Sequence, residues 1–325
     1  MTRFELKLRR YFKLKNDILR HMVCEFFCTM ILIYCGTSVC AQTILSRGKK
    51  NEYVALAFGW GFSLLIAVQL GIRISGSHLN PAVSLFFLTI GRLSFVQFIT
   101  YSIAQMLGGF IGAALTFIMY YDVSLYKRTA INEFDEGNRM VTGPLATAGI
   151  FSTYPQVYLS VTGYIIDQLF ATAFLVICVG TISDKRNFVP IWAQPFLLSL
   201  SLTLIGIAFS LNAGYAINPA RDLSPRIATY LFGYGPRVFS YRSYMFIIPA
   251  VVPMIGAVVG GWIYIIFIGV NMPDTIEDAN LRLPLSLRQN LPPLASGEES
   301  TATFSSDQHN RSSTLIGRGA DSRML

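Results

Sequence analysis

Six stretches of this chain are too long and too poor in charge to face water. Between Glu52 and Arg73, Arg92 and Asp122, Arg186 and Arg221, and Arg242 and Asp274 there is no charged residue. Two further intervals hold a single acid each: Glu25 between Arg20 and Arg47, and Asp167 between Tyr158 and Ser183. A helix needs about 20 predominantly apolar residues to cross the hydrocarbon of a bilayer, and each interval qualifies. Charged residues make up 14% of the chain, against about 25% in soluble domains. The expectation is an all-α membrane protein with six transmembrane helices. Soluble-enzyme, DNA-binding and secreted disulfide-scaffold readings are demoted. The formal net charge of +8 would by itself invite nucleic acid. Residues 1–20, however, hold seven basic and two acidic residues, 7 − 2 = +5 of that +8, so no nucleic-acid partner is expected.

The basic start fixes an expected topology. The positive-inside rule places residues 3–20 in the cytosol, and six spans return the carboxyl terminus to the same side of a cell membrane. The first apolar run is span-length and followed by no small-residue cleavage site, so it reads as a span rather than a cleaved signal. Asp184-Lys185-Arg186 suits a cytosolic connection, although the outer loops then carry Arg47, Lys49, Lys50, Lys127 and Arg128. The chain divides into a basic segment (1–22), a membrane domain (23–270) and a Ser-, Thr- and Pro-rich tail (271–325) expected to be disordered. In that tail Asn310-Arg311-Ser312 is a glycosylation sequon on the wrong side of the membrane, and Arg311-Ser312-Ser313-Thr314 a candidate phosphorylation site. Cys24, Cys28, Cys35, Cys40 and Cys178 all fall within spans and read as small packing residues. With three His in the chain, neither a metal site nor a cofactor is expected.

The membrane domain is written twice. Ser75-Gly-Ser-His-Leu-Asn-Pro-Ala82 and Ala213-Gly-Tyr-Ala-Ile-Asn-Pro-Ala220 are offset by 138 residues, and Leu85 pairs with Leu223 in the same register. Gln105-Met-Leu-Gly108 with Gly112 matches Pro253-Met-Ile-Gly256 with Gly260 at an offset of 148, and Glu25 precedes Thr29 by four as Gln168 precedes Thr172. Repeat 1 covers about 23–121 and repeat 2 about 160–270. Three spans per copy is an odd number, so the second copy is inverted relative to the first.

Two apolar runs, Pro81 to Ile90 and the stretch from Pro219, are too short to span. Each begins Asn-Pro. Asn is a strong N-cap, and Pro at the first helical position loses only an amide that had no intrahelical partner. They read as re-entrant half-helices starting near the bilayer centre, after non-helical backbone at Gly76 and Gly214. Such backbone survives at that depth only where protein buries it or water wets it, which implies a polar pore. Asn80 and Asn218 are then either caps alone or caps whose NH2 groups also face a passing molecule. Their repetition at equivalent places favours the second.

These residues resemble the major intrinsic protein family, the aquaporins, and within it the aquaglyceroporin branch. The resemblance spans about residues 20–270. It rests on both boxes (Asn80, Pro81, Ala82; Asn218, Pro219, Ala220), His78-Leu79, Asn218-Pro-Ala-Arg-Asp222, Ala148-Gly-Ile-Phe-Ser-Thr-Tyr-Pro155 and Gly233-Tyr-Gly-Pro236. The last three are similar to the glycerol-conducting branch, as are Pro249-Ala250 and Arg226. The family's narrowest point is an aromatic and arginine filter. Counted from the boxes, its positions fall on Trp60, Gly206, Tyr215 and Arg221. Gly in place of the His usual in water-selective relatives implies a wider, less polar constriction. Two aromatic faces would line a polyol's carbons while Arg221 supplies donors to its hydroxyls. Packing or an interfacial belt is the alternative for Trp60 and Tyr215, but a cation at depth is a functional candidate by default.

The resemblance further implies that Glu25 holds the first re-entrant loop. In the second copy either Gln168 or its neighbour Asp167 would do so, with Asp222 steadying the loop nearby. Backbone carbonyls of Gly76, Ser77 and His78, and of Gly214, Tyr215 and Ala216, would line the path. The implied activity is passive conduction of glycerol, water and other small neutral solutes, with ions and protons excluded, by a homotetramer with one pore per subunit embedded in a lipid bilayer. An alternating-access transporter is the main rival, since inverted repeats with broken helices occur there too. It would need a coupling site, and the only span acids, Glu25 and Asp167, lie away from the boxes. A membrane enzyme lacks a nucleophile–base pair, and an adhesion role would not need Arg221.

Overall fold

A computed structural model describes residues 2–121 and 130–273. Lys127, Arg128 and all but the first three residues of the expected tail, with Asn310 and Arg311–Thr314, lie outside them. Regular structure among the described residues is helical throughout. A short amphipathic helix, α1 (Arg3–Phe12), precedes α2 (Asp17–Leu45) and α3 (Tyr53–Gly71). The half-helix α4 (Pro81–Thr89) and α5 (Phe95–Tyr120) complete the first copy, and a short α6 (Ala130–Asp135) follows. The second copy runs through α7 (Val161–Ser183), α8 (Gln194–Phe209), the half-helix α9 (Pro219–Thr229), a single turn α10 (Arg237–Ser240) and α11 (Ile247–Phe267).

Five of these elements are long and apolar enough to cross a membrane; α8, with 16 residues, is shorter. At 1.5 Å per residue it covers about 24 Å. The uncharged interval from Arg186 to Arg221 holds more than a helix, because it also contains the connector before Gln194 and the loop 210–218. Charge spacing therefore located the span but not its ends.

The copies pack alike. α2 lies along α5 as α7 lies along α11, and α3 crosses to α8. The half-helices exchange partners, α4 resting on α11 and α9 on α5, which locks the copies together. Close approach at the paired helices explains the repeated Gly motif. A Cβ on Gly108 would stand 2.3 Å from the Phe26 carbonyl oxygen, and one on Gly256 would stand 2.6 Å from that of Leu169. Phe58, Phe62, Ile66 and Leu70 form an exposed apolar face on α3, and Phe196, Leu200, Leu204 and Ile207 do so on α8. Faces of that kind suit lipid or another subunit rather than water.

Candidate functional site

Loops 72–80 and 210–218 each end in an Asn that starts a half-helix. Asn80 (φ −155°, ψ 118°) accepts from the Ala82 amide, and Asn218 (φ −152°, ψ 110°) accepts from the Ala220 and Arg221 amides. With the side-chain oxygens so engaged, each NH2 group reaches across to the other copy. Asn80 Nδ2 donates to the Ile217 carbonyl at 3.0 Å, and Asn218 Nδ2 donates to the Leu79 carbonyl at 2.9 Å. An amide nitrogen carries two hydrogens, so each Asn retains a second donor. Both side chains line a cavity of about 340 Å³.

The loops that aim these groups are strained. Gly76 and Gly214 have φ of 87° and 66°, which glycine tolerates, but Leu79 and Ile217 also sit at positive φ, 55° and 42°. For a β-branched residue that is an outlier, worth about 1–3 kcal/mol. Each strained residue is held by a buried side chain from the first span of its own copy. Glu25, fully buried, accepts from the Leu79 amide (2.8 Å), the His78 amide (2.9 Å), Ser75 Oγ (2.6 Å) and Gln105 Nε2 (2.9 Å). Gln168, equally buried, accepts from the Ile217 amide (3.2 Å) and donates to the Gly214 carbonyl (3.0 Å). Between the two candidates for the second loop, Gln168 therefore makes the backbone contacts. Asp167 braces it, accepting from Gln168 Nε2 (2.9 Å) and Asn212 Nδ2 (3.0 Å).

A second cavity of about 280 Å³ adjoins the first, and Trp60, Tyr215 and Arg221 line both. These three form the neck between them. Arg221 stacks on the Trp60 ring at 4.5 Å from its centroid and donates through Nη1 to the Phe151 carbonyl at 3.1 Å. Its Nε and the Tyr215 hydroxyl are buried without a protein partner. The Trp60 indole N–H is turned away to Cys40 Sγ, 3.3 Å distant. Gly206 lines neither cavity. It lies beneath Tyr215, where an added Cβ would stand 3.0 Å from Tyr215 Cζ and 3.1 Å from Ala57 Cβ. The absent side chain leaves room that the tyrosine ring occupies.

Asp222 neighbours Arg221 in sequence but is committed elsewhere. It accepts from the Thr153 amide (2.7 Å) and Oγ1 (2.6 Å) and pairs with Arg226 at 2.8 Å. Arg226 is 2% exposed, donates to the Val238 (2.8 Å) and Thr153 (2.5 Å) carbonyls, and stacks on Tyr154. That pair fastens the 148–155 segment to α9. Arg221 has no ion-pair partner among the described residues, so its charge at the neck is uncompensated by contact.

The expected wall residues separate by position. Gly76, Ser77, His78, Tyr215 and Ala216 line the larger cavity, whereas Gly214 lines only the smaller one, its carbonyl taken by Gln168. Pro81, Ala82, Pro219 and Ala220 are buried in the helix starts and line neither cavity. Sequence reasoning missed the carbonyls of Leu79 and Ile217, though both directly precede a box at equivalent places in the repeat. It also missed Phe151 as the Arg221 acceptor, which lies inside the 148–155 segment already singled out. Among the described residues no three His, Cys, Asp or Glu side chains gather as metal ligands would.

Membrane-length helices, two half-helices meeting tip to tip and two adjoining cavities that share an arginine are the architecture of a membrane channel for small solutes. The chain belongs to the major intrinsic protein family, whose model matches residues 13–264. It is 41% identical to aquaporin-9 of Mus musculus over 256 residues, 78% of this chain and 84% of the relative. It is 37% identical to aquaporin-2 of Milnesium tardigradum, covering 87% of this chain and 86% of the relative. Among solved structures it matches the aquaglyceroporin from Plasmodium falciparum with a TM-score of 0.67 and 26% identity, over 76% of this chain and 95% of that one. Members of the family are channels for water and small neutral solutes, not enzymes.

Proposed function

We propose that this chain conducts glycerol as well as water, passively and in both directions, and excludes ions and protons. The observation that carries the reading is the neck at Trp60, Tyr215 and Arg221. Two aromatic rings offer an apolar wall to a polyol's carbons, and Arg221 Nε is a buried donor with no protein acceptor. Gly206 completes the filter by giving Tyr215 room. Beyond the neck, the second hydrogens of Asn80 and Asn218 are donors, and the carbonyls of Gly76, Ser77, His78, Tyr215 and Ala216 are acceptors. A solute rich in hydroxyls exchanges its water for these groups in turn.

Ions gain no such exchange. Arg221, which makes no ion-pair contact among the described residues, repels cations, and both half-helices aim the positive ends of their dipoles at the Asn pair. The same field opposes protons. In this reading residues 23–270 are the conducting domain, the smaller cavity is the outer vestibule, both termini are cytosolic, and four subunits assemble in the cell membrane with one pore each.

Stopped-flow light scattering on proteoliposomes tests the solute assignment. After shrinkage in a glycerol gradient, re-swelling should outpace that of empty vesicles. Water flux without accelerated glycerol re-swelling would overturn it, and saturable, gradient-coupled uptake would favour the alternating-access transporter instead.

A further inference from the structure

The segment before the first span is a helix exposed along its whole length. α1 is started by a full capping box, Thr2 Oγ1 accepting from the Glu5 amide at 3.2 Å and Glu5 Oε2 accepting from the Thr2 amide at 2.6 Å. Yet none of its residues is buried. A ten-residue helix without tertiary packing is marginal in water. Four of its five apolar residues nevertheless fall on one stripe, Leu6 lying on the far side. Phe4, Leu8, Tyr11 and Phe12 follow the i, i+4, i+7, i+8 pattern of a single face, and they are exposed by 68, 41, 80 and 77%. Arg3 and Arg10 lie on the far side of the helix, and Lys7 flanks the stripe.

Continuity with the membrane says what covers that stripe. Only Lys13–Asn16 separate α1 from α2, whose first turn is capped by Asn16 at Leu19 and which carries exposed Ile18, Leu19 and Val23 toward lipid. Four extended residues reach about 14 Å, so the carboxyl end of α1 stays within that distance of the first turn of α2. A concave surface opens where the two helices join, lined by Arg9, Arg10, Lys13, Lys15 and Arg20 beside Leu6 and Leu14, with Asp17 paired to Arg20 at 2.8 Å. One acid among five bases leaves a strongly cationic cradle, complementary to phosphate-bearing headgroups and unsuited to a neutral surface.

We propose that α1 and its junction with α2 form an interfacial platform that recognises anionic phospholipid headgroups, with Phe4, Leu8, Tyr11 and Phe12 sunk at the acyl boundary and Arg3, Lys7, Arg10, Lys13 and Lys15 on the phosphates. The platform does not depend on which solute the pore conducts.

Hydrogen exchange on the full-length protein, reconstituted in vesicles of phosphatidylcholine alone or with about 30% phosphatidylserine, tests it. The α1 amides should exchange about tenfold more slowly with the anionic lipid, and salt at about 1 M, where the Debye length is about 3 Å, should shrink the difference. Arg3→Gln, Lys7→Gln, Arg10→Gln and Lys13→Gln combined should erase the difference while water permeability stays unchanged. Phe4→Ser, Leu8→Ser and Phe12→Ser combined should remove protection in both vesicles. Equal exchange of the unaltered protein in the two lipids, a difference that survives the four Gln substitutions, or equal protection by inorganic phosphate in neutral vesicles would each overturn the proposal.

Discussion

Tyr215 stands where a side chain on Gly206 would be: a Cβ there lies 3.0 Å from Tyr215 Cζ and 3.1 Å from its hydroxyl. The two residues come from different elements, α8 and the loop before α9, and the place of the tyrosine ring depends on the missing side chain. Any side chain at position 206 has to move the ring.

Gly206→His should therefore shift Tyr215 into the neck and add a polar wall. A displaced ring and an added imidazole raise the barrier for the larger solute, and about 1.4 kcal/mol of barrier is a tenfold change in rate. Glycerol permeability should fall about tenfold or more with water permeability largely kept, measured on the same proteoliposomes. Equal loss of both would count against this neck as the solute filter.

Glu25 and Gln168 hold equivalent strained residues with different chemistry, so exchanging them should fail in both directions. In Glu25→Gln an NH2 group meets donors from His78, Leu79 or Ser75 and leaves at least one buried amide without an acceptor, at about 1–3 kcal/mol. In Gln168→Glu a carboxylate replaces the donor to the Gly214 carbonyl and faces Asp167. Each variant should lower both the unfolding temperature in detergent and water permeability. A Gln168→Glu protein as stable as the original would show that the second loop does not depend on this donor.

Much of this was legible before any coordinates. Glu25 and Gln168 share a place in the repeat, and a repeat reports what each copy must do twice. Asn80 and Asn218 were legible as helix starts for the same reason. Directions were not. Counting from the boxes put Trp60 and Gly206 at the neck, but not that the indole N–H turns to Cys40 or that Tyr215 fills the space over Gly206. Those follow from how neighbouring helices and loops face one another, 20 positions apart in the first case, and sequence does not orient those faces. Asp222 was expected to steady the loop, but its partners were not legible, Thr153 standing 69 positions away, nor was the end of α8 at Phe209, since no charge marks it.

The buried pair Asp222–Arg226 should be costly to break and cheap to replace. Asp222→Ala leaves Arg226 buried and unpaired, with Thr153 also losing its acceptor, so a loss of about 3–5 kcal/mol is expected. Asp222→Leu with Arg226→Met removes both charges and should be less destabilising than Asp222→Ala alone. Thermal unfolding followed by size-exclusion fluorescence reads the order; a double variant worse than the single one would mean that the pair's hydrogen bonds to the 148–155 segment matter more than its charge.

Asp184 offers a pH test at the end of α7, outside the spans. Burial alone would push its carboxyl up, but hydrogen bonds from the Arg186 guanidinium and amide and from the Tyr264 hydroxyl, with the Arg186 charge, hold it at about 2. The contacts are short: 2.9 and 2.7 Å from Arg186 Nε and Nη2, and 2.8 Å from Tyr264. Arg186 Nη1 in turn donates to the Gly269 carbonyl at 2.8 Å, so the carboxylate organises a latch between the ends of α7 and α11. A group whose folded pKa lies below its unfolded value of about 3.9 stabilises the fold above that value and ceases to do so as pH falls toward the folded pKa. The unfolding temperature of Asp184→Asn should thus lie below that of the unaltered protein by a constant margin from about pH 5 to pH 8, and the margin should narrow below about pH 4. A margin that instead changed between pH 6 and pH 7 would assign the latch to some group other than this carboxylate.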